Sequence, residues 1–236
     1  MIEYKNKELV ENVDKIAQDI LNARKSNQHR DKFFPQLIDK MDLKIGVEIG
    51  VDVAQFSSRI LERSKIERYY CVDTWQDDFG SDCPSVSFDK DGNKRYTAAT
   101  DTLKDFIVKE RAMPLRMTGV EASKHFANET IDFCYIDGDH SLEGIYTDIK
   151  AWLPKLKVGG ILSGHDYKDG PKSGISDYFG QQLPYHIKTV VDNYCMRYGH
   201  KLNVVGNRIL SWWFIKNCPT QDHVKVYMLE SPLEDK

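Results

Sequence analysis

The chain has 236 residues, of which 41% are apolar and 11% aromatic, and a formal net charge of −3. This is ordinary material for one α/β domain, and a near-neutral charge without long runs of one sign gives no basis for a nucleic-acid partner. No apolar run is long enough for a bilayer span, the amino terminus MIEYKNKELVENVDK lacks an apolar signal core, and the five cysteines form no CxxC pair, so the expectation is a soluble cytoplasmic protein with reduced thiols and no membrane partner.

The elements follow in chain order. Val10, Val13, Ile16, Ala17, Ile20 and Leu21 recur at helical spacing and predict an amphipathic helix over 7–23. The polar RKSNQHRDK stretch interrupts it, and a second short helix is expected over 33–41. This leading pair, residues 1–42, reads as a helical extension suited to a lid, a dimer contact or plain packing, and a homo-oligomer is compatible with it. Strand 1 is expected over 44–49, followed by Gly50 and the helix AQFSSRILERS; strand 2 over 68–72 ends in Asp73. A long polar segment, DTWQDDFGSDCPSVSFDKDGNKRY, comes next, and irregular segments of that length are commonly functional. A helix over 98–110 leads to strand 3 over 115–117, a short helix after Glu121, and strand 4 over 131–136. Leu142, Ile145, Ile149, Trp152, Leu153 and Leu156 form the clearest apolar stripe, on a helix over 141–156 that Gly159 and Gly160 would terminate. Strand 5 over 161–163, a loop over 166–176, a helix over 187–198 and a closing hairpin of strands 201–205 and 211–215 complete the main domain, 43–218, with 219–236 as a tail. Alternating strands and helices closed by a hairpin predict an α/β, Rossmann-like doubly wound sheet with one antiparallel member. Trp152, Trp212 and Trp213 read as core.

Two places carry the chemistry. In GVEIGVDVAQFS, Gly50 allows close backbone approach of a ligand at a helix start, but the G-x-G-x-x-G dinucleotide pattern is absent. Glu48, just before the turn, would repel a pyrophosphate and attract an amino group; the alternative is a packed turn. Asp73, 25 residues on, is placed to accept hydrogen bonds from ribose hydroxyls, or it is a turn residue. In IDFCYIDGDHSLEGIYTDIKAWLPKLKVGGILSGHDY, two apolar strands each end in proton-handling or metal-binding groups: Asp137, Asp139 and His140 after the first, His165 and Asp166 after the second. If the two strands are neighbours, about 5 Å apart, Asp137 and Asp166 can touch one ion.

Glu48-x-Gly50, VDTW and the IDGDHS/GHDY pair together resemble the class I S-adenosylmethionine-dependent methyltransferases, most closely the subgroup of sugar and natural-product O-methyltransferases, over residues 44–216. The resemblance implies seven strands in the order 3-2-1-4-5-7-6 with strand 7 antiparallel. It places Glu48 and Gly50 at the methionine part of the cofactor, Asp73 at the ribose with Thr74 and Trp75 nearby, and Gly119, Val120 and Glu121 beside the adenine, with Asp137 also bordering the cofactor. Ala54 stands where the family usually has a second glycine. Metal-dependent relatives use the acid ending strand 4 and two residues after strand 5, here Asp137, His165 and Asp166. Oxygen-rich sets suit Mg²⁺, and His165 departs from that pattern toward a softer divalent ion or none. His140 is the candidate general base, preceding a helix whose positive end disfavours the imidazolium; Asp139 would orient it or hold the turn. The expected activity is O-methylation of a hydroxyl on a small polar acceptor such as a sugar or secondary metabolite. The rival readings are an NAD-dependent oxidoreductase, which the missing glycine pattern disfavours, and a non-catalytic cofactor-binding protein.

Overall fold

The structure, a computed structural model, describes residues 6–23, 29–76, 93–176 and 182–219. The strands in chain order are β1 (Ile45–Ile49), β2 (Arg68–Asp73), β3 (Ala112–Arg116), β4 (Ile131–Ile136), β5 (Leu156–Gly164), β6 (Asp169–Ser176), β7 (Gln182–His186), β8 (Asn203–Gly206) and β9 (Leu210–Ile215). The helices are α1 (Lys7–Asn22), α2 (Arg30–Lys40), α3 (Gln55–Arg63), α4 (Asn93–Val108), α5 (Gly119–Ser123), α6 (Leu142–Trp152) and α7 (Ile187–Tyr198).

Seven strands form one sheet in the order β3-β2-β1-β4-β5-β9-β8. Counted within the sheet alone this is 3-2-1-4-5-7-6, the order expected from the sequence. β1 pairs in parallel with β2 and β4, β4 in parallel with β5, and β9 runs antiparallel to both β5 and β8. Every residue of β4 is buried, as a central parallel strand covered on both faces requires. Trp212 and Trp213 are adjacent on β9, so they point to opposite faces, and each enters a different core cluster.

One face carries α1 to α4, the other α5 to α7, as the two core clusters show. The leading helices are part of the first core: Phe34 is fully buried and packs against Phe56, Phe133 and Tyr135, with ring centroids 6.3, 5.7 and 5.5 Å away. Pro35 inside α2 has no N–H to offer the carbonyl of Asp31. Arg63 of α3 donates to that carbonyl instead, at 3.1 Å, and so ties the first turn of α2 to α3.

Three expectations are corrected. Gly159 and Gly160 do not end α6: the helix stops at Trp152, and a 3₁₀ turn over Leu153–Lys155 follows, because Pro154 can neither donate nor continue the ladder. Both glycines lie inside β5, which starts at Leu156 and bulges where Ile131 pairs with Leu156 but Phe133 with Ile161. The segment read as a loop over 166–176 contains β6, which among the described residues pairs with β7 in a separate two-stranded ribbon; its Gly- and Pro-containing sequence has no alternation to mark it. Most of the long polar segment after strand 2 (77–92) and all but the first residue of the tail (220–236) lie outside the described residues. Cys71, Cys134 and Cys195 are buried free thiols, and Cys218 is buried.

Because Phe34 joins the leading helices to the sheet, Phe34→Ala should cost about 3–5 kcal/mol. Urea unfolding followed by circular dichroism should still show one transition, since the leading helices have no separate core.

Candidate active site

The carboxyl ends of β3, β2, β1, β4 and β5 lie side by side, and each expected site residue sits on or shortly after one of them. Gly50, at φ +84°, makes the close approach of β1 and β4 feasible: an added Cβ would lie 2.1 Å from the carbonyl oxygen of Asp137. The turn beyond it is wound through the left-handed region at Asp52 (φ 50°) and Ala54 (φ 62°). Ala54 occupies the N-cap of α3 and its side chain offers the first N–H groups of that helix no acceptor.

Three acids at this edge experience three environments. Glu48 faces the α3 side of the sheet and is 2% exposed. Ser57 Oγ donates to its Oε2 at 2.6 Å and Tyr69 Oη at 3.3 Å. Burial pushes its carboxyl up to about 8, against the opposing pull of Ser57 and Arg30. Asp73 accepts from the backbone N–H groups of Val51 and Asp52, both at 2.9 Å, and of Trp75 at 2.7 Å. It thereby braces the turn after β1; burial raises its carboxyl and those amides oppose the rise. Asp137 is half-buried, and its carboxyl is held well below the usual range: desolvation opposes ionisation, and His165, His140 and Arg30 outweigh it.

Around Asp137 stands a tight polar cluster. His140 Nε2 lies 3.4 Å from Asp137 Oδ1, and His140 Nδ1 lies 3.8 Å from Asp166 Oδ2. His165 Nδ1 lies 3.4 Å from Asp137 Oδ1 and 3.7 Å from Asp166 Oδ2. Asp166 takes up a positive φ of 49° directly after His165, a conformation that aspartate tolerates better than most residues. Asp137, His140 and Asp166 each offer a ligand atom within 4.8 Å of the other two. Two carboxylates and an imidazole fit a divalent ion of intermediate softness better than an all-oxygen Mg²⁺ cage. His165, which the sequence reading placed with the two acids, lies beside the same carboxylates.

The neighbouring roles are resolved. Ser141 caps α6, accepting from Gly144 N at 3.1 Å. Asp139 accepts from Ser141 N and Oγ, each at 2.9 Å, so it holds the turn. The helix-end argument for a neutral His140 is outweighed: burial alone would lower its pKa, but Asp137, Asp166 and Asp139 raise it. Trp75 is fully buried, donates from Nε1 to Asp52 O at 2.7 Å and packs on Tyr96; Thr74 Oγ1 accepts from Gln76 N at 3.3 Å. Gly119 and Val120 begin α5, where Glu121 and Thr118 form a reciprocal capping box. Tyr167 bonds Asp192 of α7.

Two residues escaped the sequence reading. Arg30 of α2 donates from Nη1 to Asp137 Oδ2 at 3.1 Å and to Tyr135 Oη at 2.9 Å. Nothing near it in sequence marks it, since its partners are more than a hundred residues away. Asp148 of α6 is 7% exposed, and burial, with Asp139 nearby, pushes its carboxyl up to about 7. Its Oδ1 would lie 2.6 Å from a Cβ added at Gly119. Here a signal existed: Asp148 falls within the apolar stripe of its helix.

Comparison with known proteins places this edge in context. A family model described as a methyltransferase domain matches residues 43–167, more than half of the chain. The chain belongs to this methyltransferase family. It is an S-adenosylmethionine-dependent methyltransferase of class I architecture. A putative caffeoyl-CoA O-methyltransferase from Staphylococcus aureus has a similar structure, with a TM-score of 0.57 at 12% identity over 87% of this chain and 91% of that one. A putative O-methyltransferase from Klebsiella pneumoniae gives 0.56 at 10% identity over 86% and 89%, and an O-methyltransferase from Bacillus cereus in complex with SAH gives 0.53 at 12% over 89% and 91%. At these identities the likeness is one of fold. No curated protein matches the methyltransferase in sequence. No helix among the described residues is long and apolar enough to cross a membrane.

Glu48 gives the methyltransferase a pH signature. Its carboxyl lies near 4.5 when unperturbed and near 8 in the fold, so between these values the folded state holds the extra proton. The stabilisation is full below the lower value and is lost as pH rises through the upper one. Melting temperatures measured from pH 5 to 8 should fall less steeply in Glu48→Gln than in the unaltered protein.

Proposed function

We propose that the methyltransferase O-methylates a hydroxyl of a small polar acceptor, such as a sugar or secondary metabolite, with His140 as general base. The observation that carries this reading is the Asp137–His140–His165–Asp166 cluster, which lies at the strand ends beside Gly50 and the start of α3. Carboxylates and imidazoles line this place, and such groups hydrogen-bond hydroxyls.

S-adenosylmethionine supplies an electrophilic methyl group on a sulfonium, and in-line transfer then requires an aligned, deprotonated oxygen. The residues present fit that cofactor. The α3 start offers N–H groups for a carboxylate, and Asp73 offers carboxylate oxygens for ribose hydroxyls, with Thr74 and Trp75 at the same strand end. Gly119, Val120 and Glu121 border the adenine side, while Glu48 and Gly50 back the methionine side. His140, held between Asp137 and Asp166, takes the acceptor proton; the two carboxylates stabilise the imidazolium that results. Because those carboxylates also raise its pKa, the base form gains population toward alkaline pH.

Asp137 and Asp166, with His165, would hold a divalent ion, and such an ion lowers the pKa of a bound hydroxyl. In this reading His140 is the group that accepts the proton. The charge-paired cluster also supports turnover over mere cofactor storage, since binding alone does not need a histidine set between two acids.

His140→Ala should lower kcat by roughly 10²- to 10⁴-fold and leave the affinity for S-adenosylhomocysteine, measured by calorimetry, unchanged. A panel of hydroxyl acceptors assayed with labelled cofactor reads the activity. An unaltered protein that fails to bind S-adenosylhomocysteine, or a fully active His140→Ala variant, would sink the reading.

A further inference from the structure

We propose that Arg30, from the leading helix pair, is a positioning residue of the reaction site: a resident cation that aims Asp137 and competes with a divalent ion for it. The inference rests on reading the Asp137 cluster as the reaction site.

The geometry is that of a built-in counter-ion. The Arg30 guanidinium carbon lies 4.8 Å from the centroid of Phe56 and 5.6 Å from that of Tyr135. Nη1 reaches Tyr135 Oη and Asp137 Oδ2, at 2.9 and 3.1 Å. Tyr135 Oη is itself fixed by Ser211 Oγ of β9, at 3.0 Å. A guanidinium keeps its charge at any physiological pH and fixes its donors in a plane, so Arg30 both orients one carboxylate oxygen and neutralises it. The histidines share the other oxygen, Oδ1. The arrangement therefore splits Asp137: Oδ2 faces Arg30, and Oδ1 faces the chemistry.

The anchor behind Arg30 is rigid. Arg30 begins α2, whose Asp31 carbonyl is tied to Arg63 at 3.1 Å, while Phe33 and Phe34 are buried in the first core. The backbone that carries the guanidinium is thus held in place by a packed helix. A divalent ion entering the cluster meets a fixed positive charge on one of its ligand carboxylates. At an effective dielectric constant near 20, a unit charge about 4 Å away changes a binding constant by tenfold or more. The leading helices, through one side chain, set how readily the site takes a metal.

The test measures Mn²⁺ affinity by electron paramagnetic resonance for the full chain, Arg30→Gln, Arg30→Lys and Tyr135→Phe. Arg30→Gln should bind Mn²⁺ at least about tenfold more tightly than the unaltered protein. Arg30→Lys, which keeps the charge, should stay within a few-fold of it. Tyr135→Phe, which keeps the ring and removes one anchor of Arg30, should fall between. Equal or weaker Mn²⁺ binding in Arg30→Gln, or no Mn²⁺ binding by any variant, overturns the proposal. If Arg30→Gln does not fold, Tyr135→Phe decides by the same criterion. S-adenosylhomocysteine calorimetry on the same samples separates the two claims: loss of cofactor binding in the unaltered protein defeats the proposed function, whereas the Mn²⁺ ranking speaks only to Arg30.

Discussion

The ionised carboxylate of Asp137 is the interaction around which the site is organised. A buried acid normally takes up a proton, because desolvation penalises the charge. Here Arg30 and two histidines converge on the same group and reverse that outcome. The convergence draws on elements far apart in the chain: α2 supplies Arg30, the loop before α6 supplies His140, and the turn after β5 supplies His165. Gly50 makes room for it, since any side chain there would strike the backbone of Asp137. Removing a partner would leave a half-buried charge poorly compensated, which costs stability.

Seen along the sheet edge, Glu48, Asp73 and Asp137 show how one residue type serves three purposes. Glu48 is enclosed beneath α3 with two hydroxyl donors, and burial favours its protonated form. Asp73 is enclosed by three backbone amides and shapes the turn after β1. Asp137 is flanked by Arg30 and two imidazoles and stays charged. Environments that push similar groups apart in pKa are a recurrent mark of reaction sites. In this methyltransferase the separation follows from topology: adjacent strands place the acids at one level, and the helices covering each face decide which neighbours each acid meets.

The fold was legible because the sheet is built from patterns that local sequence carries. Five apolar residues among 131–136 read as a buried parallel strand, and the stripe from Leu142 to Trp152 read as a helix against it. The strand ends were legible too, because Gly50, Asp73, Asp137, His140, His165 and Asp166 follow directly on those runs. The failures have equally local causes. Pro154 ended α6 earlier than the downstream glycines suggested, β5 extended through a bulge that breaks alternation, and the β6–β7 ribbon lacks the alternation that marks a strand beside a core.

The sequence by itself determined which residues arrive at the reactive edge, because each is covalently attached to the end of a strand whose burial is written in its own composition. It could not determine what those residues do to one another. That Arg30 binds Asp137, that Glu48 turns toward Ser57, and that His140 joins Asp137 and Asp166 all depend on tertiary contacts, the longest of them 107 residues apart in sequence. Charge state in a buried site is set by distance and dielectric surroundings rather than by residue type, and only the packed tertiary structure supplies both.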